Sequence, residues 1–206
     1  IIALSSAEKD IFKNFREGFQ YDAKMAQKNN FKVEFFDKNN ISEKLCEEYK
    51  KIYFSAVGKE VGTFERWKST FDFIKNGFAV LALEKNEKED YVSGAIFFIY
   101  KNKAYYALGA TASAYKSKRG LGHLLQWEII KYLKQHGFGY YELGWNFYPI
   151  ISDEIYSPKE INIAYFKAGF GAKTFPLFRG EKFYNIDYLK KRKSDLINKF
   201  IENGYI

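Results

Sequence analysis

The chain has 206 residues, of which 47% are hydrophobic and 20% aromatic, so it can bury a sizeable core built largely from Phe and Tyr. No apolar run approaches the roughly 18 residues that a membrane-spanning helix needs. The net charge of +8 comes mostly from lysines interleaved with acidic residues, which favours a compositional bias over a dedicated nucleic-acid surface, and the single Cys46 excludes an internal disulfide.

The first half of the chain is predicted to be mostly helical. Apolar residues at helical spacing predict a helix over 10–29, and alternating residues predict a strand over 31–36. Two further amphipathic stretches predict helices over 42–57 and 64–76. Cys46 lies on the apolar side of the first of these, where we expect it to be a small core residue.

The pattern changes to alternation in the middle of the chain. It predicts strands over 78–84, 91–100 and 103–110, followed by a helix over 120–136 and a strand over 140–145. The remaining predicted elements are a loop over 146–159, a helix over 160–168, a strand over 174–178 and a helix over 187–201.

This order predicts an α/β (α+β) fold with a mixed, mostly antiparallel sheet and helices on both faces. The helix over 120–136 links the strands over 103–110 and 140–145. A right-handed crossover of this kind joins parallel strands, so we expect those two strands to be parallel.

A basic, glycine-bearing loop leads into that helix and is a candidate anion site. The first turn of a helix has unpaired N–H groups and a partial positive charge, and glycine lets a ligand approach the backbone. By itself such a loop is more often a plain turn, and it is neither a Walker loop nor a G-x-G-x-x-G loop. The candidate cofactor-binding residues are Ser117, Lys118, Arg119, Gly120, Leu121, Gly122 and His123. His123 has packing or capping as its alternative role.

A second motif, Tyr165-x-x-x-Gly169-Phe170, follows the predicted helix over 160–168. Together the two motifs resemble the GNAT acyltransferase superfamily, whose cofactor loop reads Q/R-x-x-G-x-G/A. The glycines at 120 and 122 have the correct spacing, whereas Ser117 stands where the family has Gln or Arg.

Further strings resemble the Fem-type (FemAB-like) branch of aminoacyl and peptidyl transferases. They are Tyr105-Tyr106, Gly109-Ala110 and the segments 123–128, 141–144 and 166–171. Fem-type enzymes typically have two such domains in tandem. We therefore expect either a single GNAT-like domain over 1–206 or the C-terminal half of a longer tandem protein.

The resemblance implies that the parallel strands splay apart. In acyl-CoA members the pantetheine lies in that splay and the pyrophosphate lies on the loop amides, so acetyl-CoA or another acyl-CoA is the implied co-substrate. In several Fem-type members the acyl donor is instead an aminoacyl-tRNA.

Two catalytic residues can be argued from the chemistry of N-acylation, which deprotonates an amine and protonates a leaving group. Tyr165 occupies the position where superfamily members often carry the general acid, and an aromatic packing role is its alternative. Glu142, near a strand end beside the expected cleft, is a candidate base or amine-binding carboxylate, and a solvated edge residue is its alternative. The aromatic and acidic loop over 146–159 suits an acceptor-binding lid.

Three hypotheses follow. The first is transfer of an acyl group from acyl-CoA to an amine of a small molecule, a sugar or a cell-wall precursor. The second is aminoacyl transfer from charged tRNA to a peptidoglycan peptide, and the third is a non-catalytic GNAT-fold binding module. Two histidines and one cysteine, without H-x-x-H or C-x-x-C spacing, predict no metal site. The absence of a possible internal disulfide fits a cytoplasmic location.

Overall fold

The computed structural model describes residues 1–146, 150–151, 154–178 and 180–202. These residues form two compact units. The first comprises Ile1–Gly144 with Gly169–Ala172, and the second comprises Trp145–Ala168 with Lys173–Ile206.

The first unit contains one six-stranded sheet and five α-helices among its described residues. Its strands are β1 (Ile2–Ala3), β2 (Lys32–Phe36), β3 (Ala79–Lys85), β4 (Tyr91–Tyr100), β5 (Lys103–Thr111) and β6 (Tyr140–Glu142). Its helices are α1 (Glu8–Lys13), α2 (Glu17–Lys28), α3 (Glu43–Val57), α4 (Phe64–Lys75) and α5 (Leu121–Gln135).

The sheet has the order β1-β6-β5-β4-β3-β2. Every neighbouring pair is antiparallel except β5 and β6, which run parallel. The predicted mixed, mostly antiparallel sheet and its one parallel pair are therefore confirmed. Strand β1 was not predicted, because two residues give no period to detect.

Helices cover both faces of the sheet. Side chains alternate along each strand, so each strand packs residues against the helices on either face. Leu81 and Leu83 of β3 join a cluster with Tyr49 of α3 and Trp67 of α4 on one face. Helix α5 contacts β3, β4 and β5, and its Ile129 is fully buried.

Cys46 lies in the cluster on the α3 side of the sheet and is buried, as predicted. Burial raises the pKa of its thiol to about 11, because a thiolate is poorly solvated in an apolar core. The residue is therefore a small core side chain.

The predicted helix over 10–29 is wrong, since the chain forms two helices with a break at 14–16. Asn14 ends α1, and the backbone N–H of Arg16 donates to Gly169 O at 2.9 Å. Phe15 turns into the core between them. A contact with a residue far along the chain thus interrupts the helical pattern.

The second unit contains a short antiparallel hairpin and two helices among its described residues. They are β7 (Ile150–Ile151), β8 (Glu154–Ile155), α6 (Pro158–Ala168) and α7 (Ile186–Glu202). The predicted loop over 146–159 thus holds a hairpin, while Phe147, Tyr148 and Asp153 lie outside the described residues.

The predicted strand over 174–178 is wrong. None of the described strands pairs with it, and an extended segment gains ladder hydrogen bonds only beside a partner. Phe175, Leu177 and Phe178 are exposed instead. Across both units, no helix in the described part of the chain is long and apolar enough to cross a membrane.

Candidate active site

The glycine-bearing loop joins the end of β5 to the start of α5. Gly120 precedes the helix with φ at 96°, a left-handed conformation that favours glycine. A Cβ on Gly120 would lie 2.2 Å from the backbone oxygen of Asp22 and 3.1 Å from Cβ of Ala26. The glycine is therefore required because α2 packs directly against the loop.

A buried carboxylate from α2 lies at this end of α5. Oδ1 of Asp22 forms an ion pair with Nε of Arg119. Oδ2 of Asp22 lies 3.9 Å from Nδ1 of His123 in the first turn of α5. The protein itself thus places a negative charge beside a helix N-terminus, where an anion is electrostatically favoured.

His123 packs between aromatic rings. Its ring centroid is 4.3 Å from that of Phe19 and 6.1 Å from that of Phe170. Burial lowers the pKa of His123, against an opposing effect of the Asp22 carboxylate. These contacts agree with the packing role that the sequence left open for this residue.

Two basic side chains of the loop, Lys116 and Arg119, contact other parts of the protein. Nζ of Lys116 donates to Ala56 O at 2.8 Å, and Arg119 is held by Asp22. Ser117 and Lys118 are exposed. With α2 against Gly120 and Arg119 paired with Asp22, the loop offers a pyrophosphate less positive charge than its sequence implies.

The parallel strands part where the resemblance implied a splay. Their last paired residues are Tyr105 of β5 and Glu142 of β6, although β5 continues to Thr111. Glu142 is exposed at this last pair. The structure therefore places the candidate carboxylate at the point where the two strands separate.

Three polar side chains link β5, α5 and β6 at the same point. The hydroxyl of Tyr141 donates to Oε1 of Gln126 at 2.8 Å, and Gln126 also hydrogen-bonds to Tyr106. The Tyr106 side chain lies over Gly109 of the same strand. A Cβ on Gly109 would be 1.7 Å from the Tyr106 hydroxyl oxygen. Burial raises the pKa of Tyr106 to about 12, so the phenol stays protonated at neutral pH.

The Gly-Phe motif docks the N-terminal helices. The Phe170 ring lies 5.1 Å from that of Phe15 and 5.2 Å from that of Phe19. A Cβ on Gly169 would lie 2.0 Å from the Phe19 ring, and one on Gly171 would lie 2.6 Å from Asn14 O. Both glycines are therefore required for this close approach.

The candidate site residues are divided between the two units. Residues 117–123 and Glu142 belong to the first unit, and Tyr165 lies on α6 in the second. The Tyr165 side chain is 63% exposed. The catalytic and cofactor-binding roles of all these residues stay predictions.

Asp22 and Glu84 were not among the site residues predicted from the sequence. Glu84 is fully buried on β3, and neither of its carboxyl oxygens has a hydrogen-bond partner among the described residues. Ser93, its partner across the strands, is hydrogen-bonded to Ala110 O at 3.2 Å. Burial raises the pKa of Glu84 well above its usual value. An acid at the end of an apolar strand was the available signal.

Among the described residues, no group of three or more His, Cys, Asp or Glu side chains could hold a metal ion.

A family model described as an acetyltransferase (GNAT) domain matches residues 58–156. This match covers just under half of the chain and supports a GNAT-type acyltransferase domain. The resemblance to the Fem-type branch, which the motifs predicted, is supported by a partial match to a curated relative.

Among characterised proteins, this GNAT domain is similar to the Lipid II:glycine glycyltransferase of Staphylococcus epidermidis. The two are 40% identical over 63 residues, which is 30% of this chain and 15% of the relative. The matched stretch is thus a small part of that relative.

Two solved structures share the fold. The crystal structure of FemX has a TM-score of 0.64 at 16% identity, and the match covers 82% of this chain and 57% of FemX. The C-terminal domain of a putative lysylphosphatidylglycerol synthetase from Agrobacterium fabrum has a TM-score of 0.55 at 14% identity. That match covers 82% of this chain and 53% of the synthetase domain. The chain therefore spans little more than half of either structure.

Proposed function

We propose that the chain transfers an aminoacyl group from a charged tRNA to an amine of a cell-wall precursor peptide. The observation that carries this proposal is the Asp22 carboxylate, held by Arg119 beside the first turn of α5. In acyl-CoA members of the superfamily the pyrophosphate lies beside this first turn. The ion pair neutralises Arg119, one of the three cations of the loop, so a pyrophosphate would meet less positive charge there than the sequence implies, which favours a donor that is held elsewhere.

The similarity to a Lipid II:glycine glycyltransferase supports aminoacyl transfer to a cell-wall precursor, and the resemblance of the motifs to the Fem-type branch supports a charged tRNA as the donor. The net charge of +8 is also suited to a polyanionic donor, even where it arises from general composition. Charged tRNA is a cytoplasmic molecule, in keeping with the location expected from the lone cysteine.

The reaction needs one base and one acid. The acceptor amine attacks the ester carbonyl, an amide bond forms, and the bond between that carbon and the ribose oxygen breaks. Glu142, exposed where β5 and β6 part, is proposed to take the proton from the amine. Tyr165 is proposed to give a proton to the leaving ribose hydroxyl, because a phenol is protonated at neutral pH.

A donor comparison tests the proposal. The full chain is incubated with a lipid-linked cell-wall pentapeptide and with either tRNA charged with labelled glycine or labelled acetyl-CoA. We expect label to reach the peptide from the tRNA only. Transfer from acetyl-CoA alone would contradict the proposal, and tRNA binding without transfer from either donor would favour the binding module.

Substitutions then test the two catalytic assignments. We expect Glu142→Gln and Tyr165→Phe each to lower the transfer rate roughly 100-fold, which is the ordinary contribution of one acid or base. Tyr188→Phe is the matched control, because it removes the same hydroxyl from an exposed tyrosine of α7. Unchanged transfer by Tyr165→Phe would remove Tyr165 from the mechanism.

Binding of the donor alone gives an independent measurement. The affinity for uncharged tRNA should fall steeply as salt rises, because contacts to phosphates release counterions. A flat salt dependence would contradict a tRNA donor.

A further inference from the structure

Helix α7 carries apolar side chains that its own unit does not bury. None of the residues of α7, all of which the structure describes, is buried. Ile186 is 62% exposed, Ile197 53% and Ile201 56%. Isoleucine rarely lies at the surface in such number on one helix, so this exposure needs an explanation.

The three isoleucines share one face of the helix with two lysines. Residues spaced by three and four lie on one side of an α-helix, and this spacing joins Ile186, Lys190, Lys193, Ile197 and Ile201. Lys190 and Lys193 are both exposed. We call these five residues the Ile–Lys stripe.

A different flank of α7 is already occupied by the unit's own chain. Arg192 forms an ion pair with Glu181, with Nη1 and Oε2 at 2.6 Å, and its guanidinium lies 5.5 Å from the Phe183 ring centroid. The Phe183 ring lies 6.2 Å from that of Tyr188. These contacts lie on a flank away from the Ile–Lys stripe, and α7 also contacts β8.

We propose that the Ile–Lys stripe docks the second unit on the surface of an anionic lipid bilayer. An amphipathic helix of this kind lies in the interface, with isoleucines among the acyl chains and lysine heads at the anionic headgroups. Covering the stripe with another protein surface would instead desolvate two ammonium groups lying between the isoleucines. Charge thus favours a lipid partner over a protein partner.

The proposal rests on the surface of the second unit and not on the acyl donor. It suits an enzyme whose acceptor is lipid-linked, yet failure to bind lipid would leave the donor comparison unaffected. The two proposals therefore fail separately.

Vesicle cosedimentation tests the proposal with the full chain. We expect binding to vesicles of phosphatidylcholine mixed with phosphatidylglycerol, and much weaker binding to phosphatidylcholine alone. Ile197→Ser should weaken binding roughly tenfold, since it removes one inserted aliphatic side chain. Phe178→Ser, which removes a larger and 94% exposed side chain outside α7, should leave binding unchanged.

A second matched pair tests the charges. Lys190→Gln on the stripe should weaken binding several-fold, by roughly the contribution of one lysine near an anionic surface. Its neighbour Lys191→Gln lies off the stripe and should bind like the unaltered chain. Helical content measured by circular dichroism shows that each variant is folded.

Three results would overturn the proposal. They are absence of binding to both vesicle types, equal binding to both, and equal loss in the stripe and off-stripe variants. A dimer that Ile197→Ser converts to a monomer, without vesicle binding, would assign the stripe to a protein interface instead.

Discussion

The two compact units of the chain use their apolar residues in opposite ways. In the first unit, Ile96, Phe97 and Ile129 are fully buried between the sheet and its helices. In the second unit, Ala164 is buried, while Phe178 and Tyr184 are almost fully exposed. Large apolar residues therefore form a packed core in one unit and lie at the surface in the other.

This difference indicates which unit determines folding stability and which one contacts partners. Buried apolar area is the main favourable contribution to folding, so the first unit should determine the stability of the chain. Exposed apolar and basic residues contribute little to folding and are available to partners. The following predictions test that division, from the largest expected effect to the smallest.

Matched isoleucine substitutions in the two units give the sharpest contrast. Ile129→Ala in α5 should lower the free energy of unfolding by about 2–5 kcal/mol, because it removes buried methyl groups and leaves a cavity. Ile197→Ala in α7 should change it by less than about 0.5 kcal/mol, since that side chain is already half exposed. Urea denaturation measures both, and equal losses would contradict the division.

The contact between α2 and the loop gives the next effect. Gly120→Ala should cost about 3 kcal/mol, because the added Cβ meets the backbone oxygen of Asp22 at a positive φ. Gly58→Ala shares the positive φ but meets no atom within 4 Å. It should cost only about 1 kcal/mol, which isolates the clash from the backbone strain. Equal costs would show that α2 does not pack on the loop.

The buried carboxyl of Glu84 predicts a pH-dependent effect. Its folded-state pKa is raised, so the folded protein keeps a proton that the unfolded chain releases above its usual pKa of 4.5. The free energy of unfolding should therefore fall as pH rises above that value.

Glu84→Gln should remove this dependence and stabilise the protein at pH 8 by on the order of 1 kcal/mol. Exposed Glu87→Gln in the following turn is the matched control. Denaturation of all three proteins across pH 4 to 8 is the measurement, and parallel curves for the Glu84 and Glu87 variants would show that Glu84 is solvated.

Local signals in the sequence predicted most of the first unit. Ser42 and Thr63 accept hydrogen bonds from backbone N–H groups at the starts of α3 and α4. The alternation over β3, β4 and β5 predicted the central strands, because one residue in two faces each helix layer.

Local patterns in the sequence could not predict contacts between residues that lie far apart along the chain. The break at Arg16 depends on Gly169 O, and the ion pair of Asp22 with Arg119 joins residues almost a hundred positions apart. The segment over 174–178 has the composition of a strand, yet no described strand pairs with it. The sequence therefore predicted which loop forms the candidate site, but it did not predict the carboxylate that lies against it.

Calorimetric titration of the full chain with CoA tests most directly whether the loop before α5 excludes an acyl-CoA. We expect no binding heat up to about 1 mM CoA, since a Kd weaker than that corresponds to less than about 4 kcal/mol of binding free energy. A one-to-one complex with a micromolar Kd would contradict it, and would assign the loop to an acyl-CoA donor.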